Sequence, residues 1–350
     1  MSLLNVKKLS LKLGKIDILK DISFSLEKGE IISILGPSGS GKSSLLRLIA
    51  GLDNPSQGQI SFYKDKISDN KFIKPVGDRN IGLMFQEDVL FPHMNVLKNI
   101  SFGLENKNIS NLEIKALTNR YINKFGLEKN KYKYPNNLSG GEKQRVALAR
   151  VLVTNPKILL MDEPFSSLDN NLRKDVCEFT INTLRKKNIS VLFVTHDVQE
   201  AFKISDRIMI IFNGEIKQID TPEQIYRKPI TKFVASFLSD INQVALYSDK
   251  KGYLNSPFGK FKCKTFFTDK KNYYGRKHSF MIRPQDIKIS KRGIQAKVVD
   301  KFFLGSSWGY YLKLSKDFPI LKAYPCDQSL NKNQNVRMSI IKKNILIFED

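Results

Sequence analysis

A glycine-rich turn between a strand-like and a helix-like segment constrains this chain more than any other feature. Residues 30–35 are mostly apolar, and residues 36–43 read Gly-Pro-Ser-Gly-Ser-Gly-Lys-Ser. Every fixed position of the pattern G-x-x-x-x-G-K-[ST] is filled, in the strand, loop and helix context that the pattern requires. The glycines let backbone N–H groups converge on a polyphosphate at a helix N-terminus. A glycine-rich turn that binds nothing is the alternative interpretation.

This turn predicts a site for a nucleotide triphosphate. Lys42 would reach the outer phosphates, and the Ser43 hydroxyl would ligate Mg²⁺. The candidate nucleotide-binding residues of the turn are Gly36, Pro37, Ser38, Gly39, Ser40, Gly41, Lys42, Ser43 and Ser44.

Length and composition indicate a globular chain of two or three domains. The 350 residues are 41% hydrophobic and 26% charged, which is ordinary for a soluble protein. No apolar run approaches the roughly 20 residues that span a bilayer, and residues 1–26 contain no signal-peptide core. Cys177, Cys263 and Cys326 lack metal-ligand spacing and fit reduced thiols. We therefore expect a cytosolic chain and assign the cysteines no role.

The net charge of +24 raises the question of a nucleic-acid partner. Its lysines are spread singly among Asn and Ile and do not cluster with aromatic residues on a recognisable motif. A solvated basic surface, helped by proximity to anionic lipid headgroups, is therefore the preferred interpretation. Binding to nucleic acid is the alternative.

The segments that flank the turn predict strands at the edge of the fold. Residues 2–13 and 16–26 alternate apolar and polar side chains, which predicts an antiparallel hairpin around Gly14. Leu13, just before this glycine, would offer an adenine base only apolar contact, so we expect modest base selectivity. An edge-strand leucine of the core is the alternative.

A second predicted strand, residues 81–85, ends at Gln86, whose amide would lie near the metal because ligands gather at the carboxyl ends of parallel strands. Residues 90–94 and 96–104 follow as an apolar stretch, which we interpret as an exposed patch that contacts a partner. Helical periodicity continues over residues 110–130.

A serine and two glycines at residues 139–141 open a second predicted helix and form another turn suited to anions. One chain with one triphosphate does not need two such turns. We therefore expect this corner to serve the nucleotide of a second chain, so that the active unit is a dimer. Helix capping without a ligand is the alternative.

Polar residues follow two further apolar strands. Asp162 and Glu163 come directly after residues 158–161, and His196 follows residues 191–194. Asp162 suits the Mg²⁺ shell, and Glu163 suits the deprotonation of an attacking water. His196 would hold the γ-phosphate. Turn-forming carboxylates and a satisfied loop histidine are the alternatives.

The texture changes near residue 241 to short strand patterns separated by glycine and proline. This spacing predicts a small all-β, barrel-like domain at residues 239–350, after an α/β domain at residues 1–238 with parallel strands. The C-terminal part contains no catalytic constellation.

Together these motifs resemble the ATP-binding subunits of ABC transporters. The resemblance covers about residues 3–238, and the motifs in order are residues 36–43, Gln86, 138–142, 161–164, 167–169 and His196. It implies a P-loop ATPase fold with a helical subdomain at about residues 87–157, a C-terminal domain of the OB-like (TOBE-like) type, and ATP with Mg²⁺ held by Ser43, Gln86 and Asp162. It also implies that a second subunit's nucleotide is contacted by Ser139, Gly140, Gly141, Glu142 and Asp169.

Residues 85–94, 220–222 and 282–284 resemble those of importers that serve ferric iron, polyamines, sulfate, molybdate and sugars. Among these, the short loop at residues 86–94, together with residues 99–104 and 345–348, favours the ferric-iron type. The resemblance implies permease subunits and a periplasmic solute-binding protein as partners, and a peripheral position on the cytoplasmic face of the inner membrane. Leu13 departs from the family's usual aromatic residue, and Glu142 stands where relatives often carry Gln.

Two readings remain open beside this one. A polyamine or other solute importer would share every motif, because the ATPase does not touch the cargo. A soluble ABC-type ATPase acting on nucleic acid or ribosomes is favoured only by the net charge.

Overall fold

A computed structural model describes residues 2–84, 90–105, 107–166, 168–262 and 274–350, and of residues 170–172 only the backbone. Predicted residues Gln86 and Ser167 lie outside this description. The chain divides into two compact units, one ending at Ile225 and the other comprising Tyr226–Asp350. Within the described residues, no helix is long and apolar enough to cross a membrane.

The first unit combines parallel and antiparallel strands with helices. Its strands are β1 (Ser2–Leu13), β2 (Ile16–Glu27), β3 (Ile31–Leu35), β4 (Gln57–Phe62), β5 (Asp65–Asp69), β6 (Ile81–Met84), β7 (Ile158–Asp162), β8 (Ser190–Val194), β9 (Arg207–Phe212) and β10 (Glu215–Asp220). Its helices are α1 (Lys42–Ala50), α2 (Val96–Ser101), α3 (Asn111–Lys124), α4 (Gly140–Leu152), α5 (Asn170–Lys186) and α6 (Val198–Ile204), and α7 (Pro222–Arg227) crosses the boundary.

These strands form two sheets. The larger has the order β10-β9-β3-β8-β7-β6, and all of its strands except β10 run parallel. The smaller is antiparallel with the order β2-β1-β4-β5, and it contains the hairpin predicted around Gly14. The predicted α/β class is therefore confirmed.

The parallel sheet is buried on both faces. In β7, Ile158 and Leu160 pack into one apolar cluster with α1 and the antiparallel sheet, whereas Leu159 and Met161 pack into another with α2, α4 and α5. Strand β8 alternates between the same two clusters. This two-sided burial explains why both strands are continuous apolar runs in the sequence.

The apolar stretch at residues 90–104 is not the exposed patch that we predicted. Val96, Ile100 and Leu104 are almost completely buried, because α2 and the 3₁₀ turn after it direct these side chains into the cluster that includes α3 and α4. The buried Asn99 amide donates to the carbonyls of Phe91, Met94 and Asn95 and accepts a bond from the Phe91 N–H. Only Phe102 is left as a large exposed apolar side chain here, among the residues described.

The second unit contains α8 (Lys232–Leu238) and antiparallel strands. These strands are β11 (Asn242–Tyr247), β12 (Tyr253–Ser256), β13 (Gly259–Lys262), β14 (Lys277–Ile282), β15 (Ile287–Ser290), β16 (Ile294–Phe303), β17 (Trp308–Lys313), β18 (Leu321–Cys326), β19 (Asn335–Ile340) and β20 (Leu346–Glu349). They form sheets of the orders β11-β14-β20, β12-β13 and β15-β19-β16-β17-β18. The all-β prediction is confirmed, with the described strands in three small sheets where we expected one barrel.

Helix α8 belongs to the second unit, although the predicted boundary at residue 238 placed it in the first. Lys232 Nζ lies 2.6 Å from Asp350 Oδ1 beside β20. The Arg283 guanidinium, after β14, donates to the Ser239 hydroxyl and stacks 4.0 Å over the Tyr226 ring. These contacts join residues 226–239 to the C-terminal strands. The change in sequence pattern near residue 241, from which the boundary was predicted, contains no information about them.

A buried arginine holds the end of α1, the helix that follows the glycine-rich turn. Arg79 is 1% exposed, and its guanidinium donates to the carbonyls of Ile49, Ile67 and Lys74 at 2.9, 3.1 and 2.8 Å. The first is one of the carbonyls that a helix C-terminus leaves without an intrahelical partner. Arg79 therefore anchors α1 to the antiparallel sheet.

We predict that Arg79→Met lowers the free energy of unfolding by about 3 kcal/mol or more, because several buried carbonyls lose their donor together. Arg47→Met is the matched control on α1, since Arg47 makes an exposed ion pair with Asp53 at 2.7 Å and such pairs contribute less than about 1 kcal/mol. Urea denaturation of both variants measures the difference. Equal losses of stability in the two variants would contradict this role for Arg79.

Candidate functional site

The glycine-rich turn connects β3 to α1 and curls around the first side chain of the helix. The Lys42 ammonium donates to the carbonyls of Gly36 and Pro37 at 2.8 and 2.9 Å. Burial lowers the pKa of Lys42, and the charges of Glu163 and Asp162 oppose this shift. The positively charged Lys42 ammonium thus lies at the centre of the turn and interacts electrostatically with the carboxylates of Asp162 and Glu163.

The backbone of the turn leaves no room for larger residues at its first position. A Cβ on Gly36 would lie 2.1 Å from the carbonyl oxygen of Ile211 and 2.8 Å from the Ser40 hydroxyl. The residue before α1, Gly41, has a φ of 98° and provides no side-chain cap. The sequence pattern therefore reflects a steric need of this turn.

Ser40 adds a polar group that fits a phosphate ligand. Its hydroxyl is buried and has no hydrogen-bond partner within the described structure. Buried polar groups are nearly always paired, so this orphaned hydroxyl in a turn of N–H groups supports the phosphate cradle predicted from the sequence. The exposed Ser38, Gly39 and Ser43 line its outer side.

Asp162 and Glu163 lie where β7 ends beside β8, the strand that separates β7 from β3. The Ser43 hydroxyl donates to the Asp162 carboxylate, whose pKa is raised by burial. Ser43 and Asp162 offer two oxygen ligands next to the cradle, and Mg²⁺ in proteins is typically held by one or two such groups together with phosphates and water. The residues present therefore fit Mg²⁺ bound with a nucleotide.

Glu163 meets His196 at the edge of the site. Its Oε2 lies 3.3 Å from His196 Nδ1, and the side chains are 21% and 61% exposed. Glu163 has a φ of 46°, and its N–H bonds to the carbonyl of Val194 at 3.0 Å. This left-handed turn is a strained conformation for a side chain with a Cβ, and here it lies at the predicted catalytic carboxylate.

The corner at residues 139–142 is a capping box at the start of α4. The Ser139 hydroxyl accepts from the Glu142 N–H, while Glu142 Oε2 accepts from the Ser139 N–H at 2.8 Å. Glu142 Oε1 also accepts from Asn130 at 2.6 Å, and these bonds lower the pKa of Glu142, the Ser139 N–H most. The Glu142 carboxylate thus stabilises the N-terminus of its own helix. Ser139 and Gly140 are exposed.

The other candidates are Leu13, Asp169, Gln86 and Ser167. Leu13 is 60% exposed at the end of β1, so it is not the buried core leucine that was the alternative. Asp169 is exposed just before α5. Gln86 and Ser167 lie outside the described residues.

Three residues that the sequence did not point to lie around Glu163 and His196. Arg173, Thr195 and Glu200 line a small cavity with them. Burial raises the pKa of Glu200, against the Thr195 hydroxyl and the charge of Arg173, which lower it. Their spacing in the sequence carries no motif, so only the folded chain reveals the group.

The chain is similar in sequence to a known protein family and to several of its members. The family model described as ABC transporter matches residues 19–166. The spermidine/putrescine import ATP-binding protein PotA of Thermotoga maritima is 35% identical over 91% of this chain and 89% of its own length. For the sulfate/thiosulfate import ATP-binding protein CysA of Mesostigma viride the values are 38%, 87% and 85%. The Fe(3+) ions import ATP-binding protein FbpC 2 of Haemophilus influenzae is 43% identical over 68% of this chain and 67% of its own.

Among solved structures, a dimeric ATP-binding cassette bound to ADP and phosphate in a post-hydrolysis state is similar to this chain. Its TM-score is 0.55 at 31% identity, and the alignment covers 63% of this chain and 98% of the other. This structural similarity therefore covers nearly all of the cassette but only about two thirds of this chain. The sequence similarity to the import ATP-binding proteins covers most of the chain. The chain belongs to the ABC transporter family, in its group of import ATP-binding proteins.

Proposed function

We propose that this chain hydrolyses ATP to energise the uptake of a solute, ferric iron, through an ABC import complex at the cytoplasmic face of the inner membrane. One observation carries the proposal: the ends of three neighbouring parallel strands bring together a cation, two carboxylates and a histidine beside the phosphate cradle. These residues are Lys42, Asp162, Glu163 and His196.

ATP would bind with its phosphates in the turn at residues 36–44. The Lys42 ammonium would bind the outer phosphates, and the N–H groups at the start of α1 would face the others. Leu13 would lie near the adenine and offer it apolar contact only. Ser43 and Asp162, with Gln86, would hold Mg²⁺, which when bound neutralises charge on the transferred phosphoryl group.

Hydrolysis needs a water placed in line with the γ-phosphate. Glu163 would orient this water and take its proton while the water oxygen bonds to the γ-phosphorus and the bond to the ADP oxygen breaks. His196, 3.3 Å from Glu163, would hold the γ-phosphate. Because both side chains follow neighbouring strand ends, their separation is set by the sheet.

The second half of each site would come from another copy of this chain. The exposed Ser139 and Gly140, with Gly141, Glu142 and Asp169, would contact the nucleotide held by the partner's cradle. Support comes from the related cassette, which is dimeric with ADP and phosphate bound. ATP would then close the dimer, and its opening after hydrolysis, when the products leave, would switch attached permease subunits between two openings.

The cargo distinguishes the named relatives of this chain from one another. Relatives named for polyamine, sulfate and ferric-iron import all match. These relatives do not distinguish the cargoes, and ferric iron is proposed from residues 86–94, 99–104 and 345–348 of the sequence. A periplasmic solute-binding protein would present the cargo to the permease subunits, so no residue of this chain would contact it.

We predict that Glu163→Gln lowers ATP turnover by at least about a hundredfold, because an amide cannot take the proton of the attacking water. The variant should still dimerise with ATP, since its cradle is intact. Phosphate release and light scattering measure the two properties. Glu30→Gln, which alters a half-buried carboxylate paired with Arg207, should keep full activity. Full turnover in Glu163→Gln would remove it as the general base.

We predict that Gly36→Ala weakens ATP binding at least tenfold, because the new Cβ would collide with the Ile211 carbonyl and displace the turn. Gly305→Ala is the control, since Gly305 has a φ of 88° with open space around it. That change should cost about 1 kcal/mol of stability and leave ATP affinity unchanged. Titration of both proteins with a fluorescent ATP analogue tests this, and wild-type affinity in Gly36→Ala would contradict the steric argument.

We predict that ferric iron stimulates ATP hydrolysis by the reconstituted complex of this chain, its permease subunits and its solute-binding protein. Spermidine and sulfate are the comparison solutes in the same assay. Stimulation by either of these and not by iron would overturn the cargo assignment and leave the import ATPase in place. Co-purification with RNA in place of membrane subunits would overturn the import role itself.

A further inference from the structure

One arginine holds the backbone that leads from Glu163 towards Asp169. Arg173, near the start of α5, donates from Nε to the carbonyl of Phe165 at 3.0 Å. Its Nη2 donates to the carbonyls of Ser166 and Leu168 at 3.3 and 3.2 Å. A planar guanidinium can bond several carbonyls at once, which an ammonium at the same place cannot reproduce. Arg173 therefore holds the backbone at Phe165, Ser166 and Leu168.

The beginning of the segment is held at Glu163 itself. The Ser166 hydroxyl donates to the Glu163 carbonyl at 2.9 Å, and the Ser166 N–H bonds to the same oxygen. Ser166 thus connects the two residues: its carbonyl accepts from Arg173, and its hydroxyl and N–H donate to the Glu163 carbonyl. A shift of Arg173 would move the turn at Glu163.

Glu200 holds the neighbouring segment, which carries His196. Glu200 Oε2 accepts from the Thr195 hydroxyl at 2.6 Å, and the Thr195 oxygen accepts from the Asp197 N–H at 3.0 Å. The Cys177 thiol on α5 donates to the same carboxylate. Glu200 thus connects α6 and α5 to the residue that precedes His196.

Arg173 and Glu200 lie close enough to line the same cavity. They share it with Glu163 and His196, and the charge of Arg173 acts on Glu200. Neither of them belongs to the phosphate cradle or to the metal ligands. The site thus has an oppositely charged pair behind the two residues that would meet the γ-phosphate and its attacking water.

We propose that Arg173 and Glu200 are a pair of positioning residues that align the Glu163 turn with His196 for ATP hydrolysis, and that Arg173 passes the same alignment on to the segment before Asp169. This inference rests on the proposed ATPase function. Displacement of a catalytic group by about 1 Å can lower a rate about a hundredfold, so a pair that fixes two turns affects turnover more than substrate binding.

Helix α5 provides a matched control. Arg185, near its other end, also donates to backbone carbonyls, those of Gly29 and Ile204, and pairs with the Asp206 carboxylate at 2.7 Å. It lies outside the catalytic cluster. Arg185→Lys therefore measures the structural effect of losing a guanidinium on this helix. Glu30→Gln, elsewhere in the first unit, measures the structural effect of neutralising a carboxylate that pairs with an arginine.

The experiment measures kcat and KM for ATP and the melting temperature of Arg173→Lys, Glu200→Gln, their double variant and the two controls. We expect each single variant to lower kcat roughly tenfold or more while KM changes less than about threefold. The double variant should be no slower than the slower single variant, because residues that act as a unit are not additive. The controls should lower only the melting temperature.

Thr195 keeps the test decisive if Arg173→Lys does not fold. Thr195→Val removes the hydroxyl that donates to Glu200 and keeps the shape of the side chain, so it should lower kcat, and Thr195→Ser should restore it. Wild-type kcat in the folded variants, or additive losses in the double variant, would overturn the positioning role. Absence of ATP hydrolysis in the wild-type complex would instead overturn the proposed function.

Discussion

The parallel pairing of β3, β8 and β7 is the constraint on which the site depends. Ile34 pairs with Val194, and Val194 pairs with Asp162, so these strands end at nearly the same level. The glycine-rich turn, the segment at Thr195 and the turn at Glu163 therefore leave the sheet side by side. Burial of both sheet faces holds this register, because a shift by one residue would exchange the side chains between the two apolar clusters.

The strand ends also create an unusual electrostatic environment. Burial lowers the pKa of Lys42 and raises that of Asp162, so each would be neutralised more readily than in water. The attraction between Lys42 and Asp162 opposes both shifts, whereas the charge of Glu163 opposes the shift of Lys42 and adds to that of Asp162. Charged groups that are partly removed from water interact strongly with a phosphate or a divalent cation. The arrangement thus suits a charged ligand.

Local patterns predicted the elements of this sheet well and their surroundings less well. Strands β7 and β8 were visible as apolar runs, and the glycine-rich turn was visible from its steric requirements. The stretch at residues 90–104 was misjudged, because an apolar segment has the same composition whether α2 buries it or a partner covers it. The predicted boundary at residue 238 lies after α8, although α8 belongs to the second unit. Contacts such as that of Lys232 with Asp350 join residues distant in sequence, so no local pattern reveals them.

The sequence by itself determined the phosphate-binding turn, the acidic residues after β7 and the histidine after β8, because each depends on residue types at short spacing. Only the tertiary structure decided that Glu163 and His196 lie within contact, that Glu142 closes its own helix cap, and that Arg173 and Glu200 line a cavity with Glu163 and His196. The physical reason is that these relations depend on strand order and register, which bring distant residues together, and no local pattern of side chains encodes such distances.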